Sequence, residues 1–392
     1  MADTSCVIRL WDFQVGYDGS GFLASAVSGA STVIGFPGRP CVALPADIPE
    51  KWCGAYGVIL ALAEAWQRRT GVAIEPVAYD VSAADVLRAF ALQNAGSREE
   101  MVKLWRRNGR IPVEHGGIFP MGFFACQDGY VALLGRSRRD WVNIRQALGN
   151  PAWAESEAFA DPFKLARNSA EADRLLVETL RAFTRDELLQ RGLSCNAVIA
   201  PVFSQAEAET RDIFRHDFVT PAGPAMPFLV GKRGATHRGN GSVSPPPRSE
   251  AAGQSSSRRY LPLAGLRCIE LCWVWSGPLV GQTLADLGAE VIKVESRDRF
   301  DLYRTRGLES RRGEMPEAVR LESSLYFHSL NRNKVGMTVN LKEARGLDVI
   351  KRLMACSDLL LDNFTVGTLD RLGLTEAVMR EANPDLVVID MS

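Results

Sequence analysis

Two rhythms of apolar and polar positions divide the chain. From residue 266 onward, short apolar runs alternate with stretches of helical period. "LRCIELC" (266–272), "AEVIKVE" (289–295), "GMTVNL" (336–341), "DLLLD" (358–362) and "DLVVID" (385–390) have strand length, and helices are predicted over 278–287, 343–355 and near 366–381. Strands this apolar are covered on both faces, and their alternation with helices predicts a parallel sheet.

The first half lacks that rhythm. "CVIRLWDF" reads as a short strand that echoes "LVVIDMS" at the other end. Residues 55–68 predict a buried helix, and 81–95 an amphipathic one capped by Ser82. "FFACQDGYVALLG" (123–135) predicts a hairpin turning at Asp128-Gly129. Residues 140–149 and 172–192 predict helices, the second interrupted near Thr184. A Ser-, Pro-, Gly- and Arg-rich stretch at 239–265 has no hydrophobic period and marks a linker or long crossover.

Composition narrows the function classes. The 392 residues are 46% hydrophobic and 23% charged, with 46 basic and 46 acidic side chains. That balance gives no electrostatic case for nucleic acid or an anionic membrane. No apolar run approaches the roughly 20 residues that span a bilayer, and the first residues lack a secretory pattern. Eight scattered cysteines with no CxxC pair imply reduced, mostly buried thiols and a cytoplasmic protein. No cluster has metal-ligand spacing, so no metal is expected.

"WVWSGPLVGQTLADLGAEVIKVE" (273–295) has the outline of a nucleotide-binding βαβ unit. Glu295, at the end of the second strand, suits the acid that holds a ribose diol. The turn Ser276-Gly277-Pro278-Leu279-Val280-Gly281 does not suit a dinucleotide: it has no GxG, and Pro278 removes a backbone donor. There is no P-loop and no GxSxG elbow.

"LPLAGLRCIELCWVWSGPLVGQTLADLGAEVIKVES", "SLNRNKVGMTVNLKEARG" and "DNFTVGTLDRLGL" resemble, in order and spacing, the amino-terminal half of the class III coenzyme A transferases, the carnitine dehydratase and bile-acid-inducible F family. Segments of the first half resemble that family's later part, so most of the chain is matched with its halves reversed. A circular permutant and a piece of a tandem protein both fit this order. The resemblance implies an α/β fold with a Rossmann-like parallel-sheet large domain, a smaller α+β domain and an interlocked homodimer. It divides the chain into 1–110 (back of the large domain), 111–205 (small domain), 206–238 (return to the large domain), 239–262 (linker) and 263–392 (the coenzyme A-binding part).

Carried over by position, Lys334, Asn363, Phe364 and Arg371 would contact coenzyme A, as would Trp275. Lys and Arg pair with phosphates, Asn reads polar edges and Phe stacks on adenine. The implied reaction moves coenzyme A from an acyl-CoA to a carboxylic acid through an aspartyl intermediate. Tyr17-Asp18 supplies the expected pair, but Ser28-Gly29 lies three residues further than the family spacing. An ungapped comparison puts Gly21 at the nucleophile's position, and a turn carboxylate remains the other reading of Asp18. Asp47 matches an aspartate that works with a histidine in acyl-CoA racemases, although Ser20 stands at that histidine's place; capping the next helix is its other reading. His115, beside Gly116 and Gly117, falls in a glycine-bearing loop near the family's active site. A family scaffold with lost or altered chemistry, whether a non-catalytic acyl-CoA-binding subunit or a racemase or isomerase, is the alternative.

Overall fold

The structure is a computed structural model that describes residues 6–45, 47–69, 77–90, 119–211, 219–220, 223–224, 261–306 and 316–391. The chain forms two compact units. One comprises Met1–Gly109, Glu114–Gly116 and Pro245–Ser392; the other comprises Arg110–Val113 and Gly117–Ser244.

The first unit holds a five-stranded parallel sheet. Across it the strands run Val335–Thr338, Glu290–Glu295, Arg267–Leu271, Leu359–Asp362 and Val387–Asp390. In chain order that is third, second, first, fourth, fifth, the Rossmann-like winding. Side chains alternate across the central strand as a two-residue period requires. Ile269 and Leu271 pack with Val294, Leu360, Ile350 and Met354 on one face. Cys268 and Cys272 pack with Val291, Ala285 and Leu361 on the other, where Ala63 and Trp66 of helix Ile48–Arg69 join them. Burying each large aliphatic side chain here contributes roughly 1.5–3 kcal/mol.

The same unit contains a parallel pair, Cys6–Trp11 with Val77–Ser82, in register from Cys6↔Val77 to Trp11↔Ser82. The strand Val77–Ser82 is not signalled by the apolar pattern, because its half-buried alternation runs straight into a capped helix. The cap itself is as expected: Ser82 Oγ accepts from the Asp85 amide at 3.1 Å, and the helix runs Ala83–Phe90. The helix expected over 366–381 is two helices, Thr368–Arg371 and Glu376–Ala382. Gly373, at φ +82°, turns the chain between them.

The second unit is an α+β fold. The hairpin Met121–Ala125 and Tyr130–Leu134 turns at Asp128-Gly129, and Ile199–Pro201 adds a third antiparallel strand. The interruption near Thr184 is a capping box: Thr184 accepts from the Glu187 amide and Glu187 accepts from the Thr184 amide, so Ser169–Leu180 ends and Arg185–Cys195 begins. Trp141 is fully buried in the core, and its indole N–H donates to the Phe159 carbonyl at 2.9 Å.

Candidate functional site

The strand order reverses between Arg267–Leu271 and Leu359–Asp362, and the loops leaving their carboxyl ends diverge there. Open α/β sheets bind ligands in that crevice. Trp273 and Trp275 lie on one loop, Asn363 and Phe364 on the other. Asn363 stitches the loops together: its Oδ1 accepts from the Trp273 amide at 2.8 Å and its Nδ2 donates to the Trp273 carbonyl at 2.8 Å. Phe364 sets its ring edge-to-face on Trp273, with centroids 5.5 Å apart. Trp275 stands 53% exposed, with Tyr303 at 6.5 Å. Arg371 is exposed, and its guanidinium donates to Thr368 Oγ1 at 2.7 Å.

Lys334 is placed differently from these. Its side chain is 2% exposed, and its ammonium meets Glu270 at 2.7 Å, the Pro278 carbonyl at 2.8 Å and Asn331 Oδ1 at 2.9 Å. Burial pulls its pKa down to about 8 against the opposing pull of Glu270. Glu270 is the register partner of Lys293 on the next strand. Lys293 bonds Glu270 at 3.1 Å, Asp301 at 3.0 Å and the Cys272 carbonyl at 2.8 Å. Burial alone would lower the Lys293 pKa, yet Glu270 and Asp301 raise it. The two ammoniums and two carboxylates form a net-neutral buried quartet beneath helix Ser276–Asp286.

The quartet shapes the tryptophan loop. Asp301 Oδ1 accepts from the Val274 amide at 3.0 Å and from the Tyr303 amide at 2.9 Å. Val274 sits at φ +71°, a left-handed conformation that a β-branched residue adopts only under constraint. The helix that follows has Trp275 at its N-cap without a side-chain cap. Gly277 lies so close to Cys272 that a Cβ there would overlap the thiol side chain.

Glu295 is not free for a ribose. Arg304 holds it through contacts of 2.7 and 2.9 Å, and it accepts from the Asp301 amide at 2.8 Å. Burial would raise its pKa, but Arg304 and that amide lower it, so it stays a carboxylate committed to Arg304.

Asp362, register partner of Asp390, ends the fourth strand and accepts from the Phe364 amide at 2.9 Å. Burial, with Asp390 adding to it, pushes its pKa up to about 6. Its charged form therefore costs stability above that pH, and the cost vanishes as the pH falls toward about 4. Asp362→Asn keeps the acceptor and removes the charge. It is expected to raise stability by about 1–2 kcal/mol at pH 7 and by almost nothing at pH 4. Denaturant unfolding at the two pH values checks this, and equal gains at both would contradict it.

Neither Asp18 nor Asp47 forms an ion pair with a member of the quartet. Asp18 is exposed, just after the turn in which the Tyr17 amide donates to the Gln14 carbonyl at 3.0 Å. Asp47 is an exposed residue at the start of helix Ile48–Arg69, paired with Lys51 one turn on; that hydrogen bond lowers its pKa. Gly21 opens helix Gly21–Val27, and its amide donates to Glu50 Oε1. His115 lies outside the described residues.

Comparison with known proteins identifies the family. The profile of CoA-transferase family III matches residues 11–224 and 263–392. The chain belongs to CoA-transferase family III. This family III chain is 39% identical over 132 residues to a succinate–glutarate CoA-transferase of Agrobacterium fabrum, which covers 33% of this chain and 32% of that protein. It is 37% identical over 134 residues to the succinyl-CoA:glutarate CoA-transferase of Homo sapiens, covering 34% and 28%. It is 37% identical over 126 residues to a formyl-CoA:oxalate CoA-transferase of Rhodopseudomonas palustris, covering 32% and 28%. Among solved structures, a CAIB/BAIF family protein from Brucella suis is 38% identical over 33% of each chain, with a TM-score of 0.28. The chain spans about a third of the length of the curated relatives it matches. No helix among the described residues is long and apolar enough to cross a membrane, and none of their acidic, cysteine and histidine side chains cluster as a metal site.

The sequence did not single out Glu270, Lys293, Asp301, Arg304 or Glu50. For two of them a signal was present. Glu270 inside "RCIEL" and Lys293 inside "EVIKVE" are opposite charges embedded in apolar strands, and such charges need each other.

Proposed function

We propose that this protein transfers coenzyme A between carboxylic acids, taking an acyl-CoA as donor and using a carboxylate side chain to carry the acyl and coenzyme groups in turn. The observation that carries this reading is the crevice at the strand-order reversal, where Asn363 locks two aromatic-bearing loops together beside the start of an eleven-residue helix. Coenzyme A brings an adenine ring and phosphates. Trp275 offers an exposed indole for stacking, and Arg371 an exposed guanidinium for a phosphate. Asn363 and Phe364 set the crevice wall. Lys334 acts from beneath, fixing the Pro278 carbonyl and hence the first turn of the helix. The commitment of Glu295 to Arg304 and the Gly-Pro turn both weigh against a dinucleotide. The names of the relatives point to short carboxylic acids (succinate, glutarate, oxalate and formate) as donors and acceptors.

The test is incubation of the full chain with succinyl-CoA or formyl-CoA and a panel of glutarate, oxalate and citramalate, followed by mass spectrometry of the CoA products. A new acyl-CoA is expected. Coenzyme A binding without any product across the panel would favour an acyl-CoA-binding scaffold that lacks transfer chemistry. For the binding site, Trp275→Ala and Arg371→Ala are each expected to weaken coenzyme A about tenfold, with the melting temperature unchanged because both side chains are exposed. Calorimetric titration measures this, and the Arg371 effect should shrink as salt is raised.

A further inference from the structure

We infer that Asp301 positions the indole of Trp275 for stacking on the coenzyme, because one of its side-chain oxygens fixes both the backbone before the indole and the ring beside it. This inference rests on the reading of the crevice above as a coenzyme A site.

Asp301 Oδ1 accepts from two amides on separate loops: Val274 at 3.0 Å, one residue before Trp275, and Tyr303 at 2.9 Å. The Tyr303 ring stands edge-to-face with the Trp275 indole, centroids 6.5 Å apart, and is itself backed by Tyr326 at 5.3 Å. Val274 carries the constraint. Four non-glycine residues among those described have a positive φ. Three are asparagines, which tolerate the left-handed region; the fourth is the β-branched Val274, which does not. Such a conformation persists only where surrounding contacts impose it. Here the contact comes from a side chain that is itself held. Asp301 is fully buried, its Oδ2 meets Lys293 at 3.0 Å, and its amide donates to Glu295 at 2.8 Å. Lys293 also donates to the Cys272 carbonyl at 2.8 Å, so the loop is gripped on both sides of Trp273.

An indole 53% exposed and without such support samples several orientations, and ordering it consumes part of the binding free energy. Its own helix gives no help: Trp275 is the N-cap of Ser276–Asp286 and makes no side-chain cap bond. Asp301 supplies the order in advance. Being fully buried, it does not touch the coenzyme; it acts through Val274 and Tyr303 as a positioning residue.

The rival is a purely structural role, in which Asp301 caps the turn Leu302–Arg304 and balances the charge of Lys293. Calorimetric titration of the full chain with coenzyme A, arranged as a double-mutant cycle, separates the two. Positioning predicts that Asp301→Ala weakens coenzyme A about five- to tenfold on its own, and by less than about twofold when Trp275→Ala is already present. The structural role predicts a lower melting temperature with the affinity of the folded protein unchanged, or the same loss in both backgrounds; either result overturns the assignment. Adding Val274→Gly to Asp301→Ala should recover most of the lost affinity, since glycine takes a positive φ without support, and no recovery overturns the route through Val274. Should Asp301→Ala fail to fold, Val274→Pro decides, because it leaves the quartet's side chains in place and removes both the amide donor and the positive φ. It is expected to weaken coenzyme A about tenfold, and a wild-type affinity would overturn the proposal. A wild-type chain that binds no coenzyme A overturns the reading of the crevice and this role with it; every other adverse result falls on Asp301 alone.

Discussion

Glu270→Gln lowers folding stability by about 3–5 kcal/mol, the range expected when one partner of a buried charge network is removed. The variant leaves Lys293 and Lys334, both with side chains 2% exposed, facing Asp301 as the one remaining carboxylate of the quartet. Glutamine preserves shape and one acceptor, so the loss reports on charge. Guanidinium unfolding should show a lower midpoint with an unchanged slope. Adding Lys334→Met to Glu270→Gln should recover part of the loss, because it removes one unpaired cation. A loss below about 1 kcal/mol for the single variant would mean that water or a side-chain shift relieves the network, and that the quartet's charges do not depend on one another for burial.

Gly281→Ala is expected to destabilise by about 1–3 kcal/mol, against the sign that helix propensity predicts. In an open helical position the change gains roughly 0.5–1 kcal/mol. At Gly281 the added methyl would overlap Glu270 Oε2, with the Glu270 carboxyl carbon at 3.0 Å and the Lys334 ammonium at 3.3 Å. Those atoms are tied into the buried ion pairs of the quartet, so moving them weakens those pairs. Gly54 is the control: it is also helical, and nothing lies within 4 Å of the place a methyl there would take. Gly54→Ala should be neutral or stabilising. The opposite signs of the two substitutions, read in one unfolding series, form the result; matching signs would refute the packing account.

The parallel sheet was legible because its strands are apolar on both faces and its helices carry a clear period. The hairpin at Asp128-Gly129 and the break at Thr184 were legible because turn and capping chemistry is local. Val77–Ser82 was hidden, since a half-buried strand of six residues abutting a helix N-cap gives no boundary of its own. The crevice at the strand-order reversal was legible in outline, because the winding that the sequence predicts brings the loops of Trp275 and of Asn363 and Phe364 side by side. The burial of Lys334 was not, because a lysine near a loop looks the same in sequence whether it faces solvent or Glu270. The Gly21–Glu50 contact joins residues 29 positions apart across a helix packing that no local pattern encodes.

That contact makes positions 21 and 50 a single inherited unit. Because the Glu50 carboxyl group fills the space beside Gly21, a side chain at position 21 requires either that this carboxylate swing away or that position 50 carry a smaller residue. In chains descended from the same ancestor the two sites should therefore change together. A single substitution at position 21 meets a crowded intermediate while the carboxylate stays in place, so the easier route begins at position 50.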